Sequence, residues 1–205
     1  MDTVTTQNMI IDLAYPPGWV QLPVGWSKQL EPDKRLSDWA ADKARSLLGP
    51  EASPRQIAKR TDDLAALTIT CRARRDRSGF AFFPDDQPEL IAMLDVKRMT
   101  PEHDEVTFDS LKKIFASYTP AVVGDTESSM IDLTSGPALR VRRKQVEEPD
   151  EDGQGTLTES VTYAIRPPGF GSAAIMIMTW TLIEVGDELA AMADAIAKTI
   201  RISPA

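Results

Sequence analysis

The segment that most constrains this chain runs from Ala173 to Ile200: a strongly apolar stretch, a Gly186-Asp187 turn, then an amphipathic stretch at helical spacing. In the first part Ala174, Met176, Met178, Trp180 and Leu182 alternate with Ile175, Ile177, Thr179, Thr181 and Ile183. Side chains alternate across a strand, so these are two faces of one strand. Both are largely apolar and both need cover, which predicts a central strand over Ala173–Ile183 with layers packed on each side. In the second part Leu189, Met192, Ala193, Ile196 and Ile200 fall on one helical stripe. Asp187 is the expected N-cap, Glu188 suits the first turn, and Lys198 and Arg201 suit the last, each sign matching the helix dipole.

Upstream, Met9–Ala14 and Trp19–Leu22 read as short extended pieces, separated by Tyr15-Pro16-Pro17-Gly18, which excludes a helix. Two helices follow. Asp33–Leu48 puts Leu36, Trp39, Ala40, Ala44 and Leu47 on one face and stops at Gly49-Pro50; Ser53-Pro54 starts a second that runs to about Arg74 with Ile57, Leu64, Leu67 and Cys71 inward. Phe80–Phe83 and Leu90–Lys97 read as strands, Thr107–Tyr118 as a helix capped by Thr107, and Ser129–Leu133, Ala138–Val146 and Leu157–Arg166 as strands of a meander. The predicted fold is α+β, a mainly antiparallel twisted sheet of six to seven strands with helices on both faces. It is expected as a single globular domain over residues 1–205, carrying a two-helix insertion at about 33–77.

Composition closes several functional classes. A net charge of −8 argues against a dedicated nucleic-acid binder, which needs a basic face for phosphates. The start, MDTVTTQNMIIDLAY, has an acid at position 2 and only a short apolar run, so a secretory signal is not expected and the cytoplasm is the expected compartment. No apolar run reaches membrane-spanning length. Cys71 is the only cysteine and His103 the only histidine, too few for the usual zinc sets. The acidic run Asp150-Glu151-Asp152-Gly153 lacks the ligand spacing of an EF-hand, and neither a metal nor a cofactor is expected. His103, within Pro101-Glu102-His103-Asp104-Glu105, has no nucleophile motif to serve.

Two surfaces are candidates for binding, beside a layer of methionines (Met176, Met178 and Met192, with Met93 and Met130 elsewhere) that could line an adaptable apolar groove but more plainly fills the core. In Ala138–Val146, Arg140, Arg142 and Lys144 share the face opposite Leu139 and Val141, and the neighbouring strand is expected to show Thr158, Ser160, Thr162 and Arg166 while burying Leu157, Val161, Tyr163 and Ile165. An open basic, hydroxyl-rich face of this kind suits an acidic partner segment. Trp19 and Trp26 flank a second candidate, suited to an apolar segment; packing at the sheet edge is the plainer account of both rings.

The element order resembles a known family. Tyr15-Pro16-Pro17-Gly18-Trp19 resembles the opening of PsbP-like domains. The ending is similar to theirs as well: a meander, the apolar strand Ile175–Leu182, then a helix closing on Ala193-Asp194-Ala195-Ile196-Ala197-Lys198-Thr199-Ile200. LpqN-like mycobacterial lipoproteins and Eag-type secretion chaperones share that ending. The resemblance implies an α/β/α sandwich and a binding rather than enzymatic role, and it carries over no catalytic residue. The chain departs from it in the insertion at 33–77 and, against the exported LpqN-like proteins, in that no export signal is expected from its opening residues. Three classes stay open on the residues: a non-enzymatic protein-binding or adaptor module of secretion-chaperone type, a small enzyme with a carboxylate/His103 loop site, and a structural subunit of a larger assembly. The missing catalytic set and the resemblance favour the first; the oligomeric state is left open.

Overall fold

The computed structural model describes residues 9–24, 32–73, 78–84, 89–100, 106–117, 121–146 and 155–205. His103, Trp26 and the acidic run 147–154 lie outside the described residues. The fold is α+β, and the described residues form nine strands and four α-helices: β1 Met9–Asp12, β2 Trp19–Leu22, α1 Pro32–Leu48, α2 Pro54–Ala73, β3 Ser78–Phe82, β4 Ala92–Met99, α3 Phe108–Ser117, β5 Ala121–Leu133, β6 Gly136–Val146, β7 Leu157–Ile165, β8 Ala173–Trp180, α4 Gly186–Thr199 and β9 Arg201–Pro204. Seven strands form one sheet in the order β2-β3-β4-β8-β7-β6-β5, and β1 pairs with β9 in a separate two-stranded ribbon. The pairs β2–β3, β5–β6, β6–β7 and β7–β8 are antiparallel. By packing the chain divides into two compact units, one of Pro17–Asp95 and one of Met1–Pro16 with Val96–Ala205.

In the Pro17–Asp95 unit the helix ends follow the predicted signals. Gly49 takes a left-handed φ of 75° and its N–H donates to the Arg45 carbonyl at 3.0 Å, ending α1 where the sequence implies. Ser53 and Gln56 form a capping box at the start of α2: the Ser53 N–H donates to Gln56 Oε1 at 2.9 Å and the Gln56 N–H to Ser53 Oγ at 3.4 Å. The two helices then bury Ala40, Ala44, Leu64 and Cys71 against Val20, Leu22, Ala81 and Phe83 of the β2–β3 hairpin and the residue after it. Cys71 is a core residue here, with Sγ 3.6 Å from Asp95 Oδ1. Arg60 is buried too, its guanidinium 3.9 Å from the centre of the Phe83 ring.

In the other unit the strands β5 to β8 form the expected meander. Leu139, Ala164 and Ile175 lie in register across β6, β7 and β8, and that face packs with Val106, Leu111 and Phe108 around α3. Arg140, Tyr163 and Met176 share the opposite face, which receives α4 with Leu189, Ala193 and Ile196 buried. Thr107 caps α3 as predicted: the Ser110 N–H donates to Thr107 Oγ1 at 3.1 Å and the Thr107 N–H to Ser110 Oγ at 3.0 Å. The strand β8 is therefore covered on both faces, and Trp180 at its end is 2% exposed.

Four expectations need correction. The central strand stops at Trp180 because a 3₁₀ turn, Ile183–Val185, lifts the chain toward α4. Asp187 is not the cap of α4; Val185 occupies that position with no side-chain hydrogen bond, and Asp187 sits in the first turn. Arg201 is not in the last helical turn, since Ile200 adopts φ −58° and ψ 131° and sends residues 201–204 into β9. Finally, β5 begins at Ala121 and not at Ser129, because pairing with β6, interrupted by an irregularity between Val123 and Glu127, carries a stretch with no apolar alternation.

Trp180 gives the first test. Trp180→Ala removes a fully enclosed ring, so urea unfolding is expected to lose about 3–5 kcal/mol. Trp180→Phe, which keeps most of the volume, is expected to lose less; equal losses would place the ring's value in its N–H and not in packing.

Candidate functional site

The site is the face of β6 and β7 beneath α4. Period-two alternation puts Arg140 and Arg142 on that face, as the sequence predicts, but α4 lies over them and the face is not open. Arg140 Nε donates to Asp194 Oδ1 at 2.8 Å and Nη2 to Asp194 Oδ2 at 3.4 Å, while the Tyr163 hydroxyl donates to the same Oδ1. One turn from the other end of the helix, Arg142 Nε donates to Glu159 Oε1 at 2.7 Å and Nη1 contacts Asp187 Oδ1 at 2.8 Å. The second Glu159 oxygen accepts from Trp180 Nε1 at 3.2 Å. Arg140 and Arg142 keep only 16% and 18% of their side-chain surface exposed, and Glu159 keeps 2%.

Burial would lower the pKa of both guanidinium groups, yet their hydrogen bonds and ion pairs outweigh it. Asp194 and Tyr163 hold Arg140 above its ordinary value, and Asp187 and Glu159 hold Arg142 above its own. Burial also raises the pKa of Tyr163, reinforced by the hydrogen bond and charge of Asp194 and opposed by Arg140. The phenol is therefore held neutral as a donor. Chemically the constellation is a closed set of donors and acceptors that satisfy one another. Its action is to fix helix to sheet.

The other predicted residues are scattered. Lys144 is half-buried, opposite Glu159 on β7 and Val123 on β5. Arg166 follows β7 on the far side of the unit, with its guanidinium 5.5 Å from the centre of the Phe108 ring at the start of α3. Trp19 belongs to the Pro17–Asp95 unit, where it is 6% exposed and stacks on Phe82 at 5.1 Å between ring centres. Trp26 lies outside the described residues. Among the described members of the predicted set the structure places Arg140 and Arg142 beneath α4, with Lys144 next along the same face of β6, and keeps Arg166 and Trp19 apart from them. The hydroxyl-rich face is also corrected, since Thr158, Ser160 and Thr162 are buried and Leu157, expected to be buried, is exposed. Both faces of β7 are covered because a helix lies on each side of it.

Sequence reasoning missed the acids that pair with the arginines. One signal was present: Asp187 and Asp194 fall a heptad apart on the helix, so they share a stripe that can face one strand. It also missed the surface that is exposed. Every residue of β5 from Ala121 to Met130 is exposed, Val122, Val123 and Met130 among them. Among the described residues β5 is the last strand of the sheet and pairs with β6 alone. Among the described residues, no three His, Cys, Asp or Glu side chains come together to hold a metal ion, and no helix is long and apolar enough to cross a membrane.

No family model matches the chain, and no curated protein matches it. Among solved structures the chain is similar to the crystal structure of LpqN, a protein involved in cell envelope biogenesis of Mycobacterium tuberculosis, with a TM-score of 0.50 and 14% identity over 98% of this chain and 87% of that one. At that identity the likeness is one of fold.

Two measurements test the network. Arg142→Ala leaves the Glu159 carboxylate buried without its cation and is expected to cost about 3–5 kcal/mol, whereas replacing Arg142 and Glu159 together by methionine is expected to recover most of that loss. The pH dependence follows from Tyr163. Its folded-state pKa is raised, so its contribution to stability is complete below the unfolded value of about 10 and falls as pH rises above it. Urea midpoints of the wild type are expected to drop more steeply above about pH 10 than those of Tyr163→Phe; parallel profiles would contradict the burial of the phenol.

Proposed function

We propose that this chain is a non-enzymatic protein-binding or adaptor module that takes its partner along the edge strand β5. The observation that carries this reading is the contrast between the two halves of one meander. Strands β6, β7 and β8 are roofed by α3 and α4, and their arginines are satisfied internally. Among the described residues β5 has one hydrogen-bonded side turned to β6 and the other unpaired, with both faces exposed from Ala121 to Met130. An unpaired strand edge offers a row of backbone donors and acceptors that an extended segment can complete. Exposed Val122, Val123 and Met130 add apolar contact beside it.

The resemblance to PsbP-like domains supports a binding role, and that to Eag-type secretion chaperones supports one toward protein segments. The likeness in fold to a protein of cell envelope biogenesis is compatible with both. The arginine face is withdrawn as the docking surface for an acidic segment, because Asp194, Glu159 and Asp187 already occupy it.

A blocked edge tests the reading. Met130→Lys places a charge on the strand edge at a side chain that is 47% exposed, so the melting temperature is expected to change little while capture of partners from native lysate is lost. Equal capture by the wild type and Met130→Lys, at equal stability, would remove β5 from consideration.

A further inference from the structure

The geometry points to the occupant of β5: an extended segment of another protein that carries basic residues five positions apart, with aliphatic residues between them. This rests on the reading of β5 as the docking strand and adds the chemistry of what docks.

The strand has two parts. Gly124, at φ 74°, lies within the irregularity between Val123 and Glu127, so the first part is bent out of simple register. From Glu127 to Leu133 each residue faces one residue of β6 without interruption, so this part of the strand is regular, and among the described residues its other edge has no strand partner. Lysine and proline, two of the devices that protect an edge against a second strand, are absent from residues 121–133, and the irregularity between Val123 and Glu127 precedes the regular stretch Glu127–Leu133. Residues 121–133 contain three carboxylates, Asp125, Glu127 and Asp132, and no basic side chain. Among the described residues none of the three makes an ion pair. Arg142, directly opposite Glu127, is committed to Glu159 and Asp187 instead.

Register assigns the charges to faces. Glu127 pairs with Arg142 and so lies on the α4 face, whereas Asp132 pairs with Pro137 and lies on the α3 face. An incoming antiparallel strand meets Asp132, Ile131, Met130, Ser129, Ser128 and Glu127 in succession. It is matched by a basic residue, two aliphatic residues, two small polar residues and a second basic residue. Opposite charges directly across a strand pair stabilise it and like charges destabilise it. That rule disfavours a second copy of this chain, which would bring three more carboxylates to an edge that has three and to a protein of net charge −8.

The probe is a labelled, end-blocked peptide containing Lys-Val-Val-Thr-Thr-Lys, compared with the same peptide bearing Glu at both ends of the motif. Binding is followed by fluorescence anisotropy into the millimolar range and by hydrogen exchange of the backbone amides. The lysine peptide is expected to bind, to slow exchange within Glu127–Leu133, and to weaken as salt rises; the glutamate peptide is expected to bind about tenfold more weakly or worse. In the double variant Glu127→Lys, Asp132→Lys, folded by its melting temperature, the preference is expected to reverse. Equal binding of both peptides, or slowed exchange elsewhere than β5, overturns the basic occupant. Concentration-dependent dimers that Met130→Lys dissolves also overturn it, while leaving β5 as a docking strand. No slowed exchange in β5 with either peptide, together with no effect of Met130→Lys on capture, overturns both.

Discussion

One guanidinium, that of Arg142, fixes the seat of α4. It reaches Glu159 on the next strand and Asp187 in the first helical turn, and Glu159 in turn accepts from the indole of Trp180 on β8. Three strands and a helix start thus converge on one buried carboxylate. The chain has made room for it at Gly186, where an added Cβ would lie 2.3 Å from Glu159 Oε2. Any side chain there would push the helix off the sheet or the carboxylate off its partners. Burying an ion pair returns little net stability, because desolvation offsets the attraction. What it supplies is position: the apolar stripe of Leu189, Ala193 and Ile196 would pack at several offsets, and the paired charges accept one.

That division of labour explains what was legible in the sequence. The strand Ala173–Trp180, the α4 stripe, the Gly49 stop and the Ser53 and Thr107 starts could all be read because each rests on local spacing or local capping. The arginine face of β6 was read correctly as a face and wrongly as open. Alternation tells which side chains share a side of a strand, but not whether a helix from fifty residues onward will lie on it. The partners Asp187 and Asp194 carry ordinary roles in any surface helix, so only their shared stripe hinted at a second role. The strand β5 was half missed for the opposite reason: Val-Val-Gly-Asp-Thr-Glu-Ser-Ser has no buried side, so it writes no period for the reader to find. β9 was missed because backbone pairing with β1, not side-chain pattern, sustains it.

The exposure of β5 follows from how wide a helix is. Neighbouring strands lie about 4.8 Å apart, so the three strands β8, β7 and β6 span about 10 Å between their axes. A helix with its side chains is about 10–12 Å across. With α3 on one face and α4 on the other, the cover therefore runs out at β6, as Arg143 shows by reaching the Phe115 carbonyl near the end of α3 from that strand. The next strand out receives no roof on either side. Its hydroxyl and carboxylate side chains are what such a position requires in water, and they account for its composition without any partner. They do not account for the absence of lysine and proline along an edge of the seven-stranded sheet where, among the described residues, no further strand is paired. Solvation would be served as well by lysine as by aspartate, and lysine would also protect the edge. A strand that takes only the acidic half of that choice is soluble and still open to pairing, and the sign of its charge then decides which strands can approach.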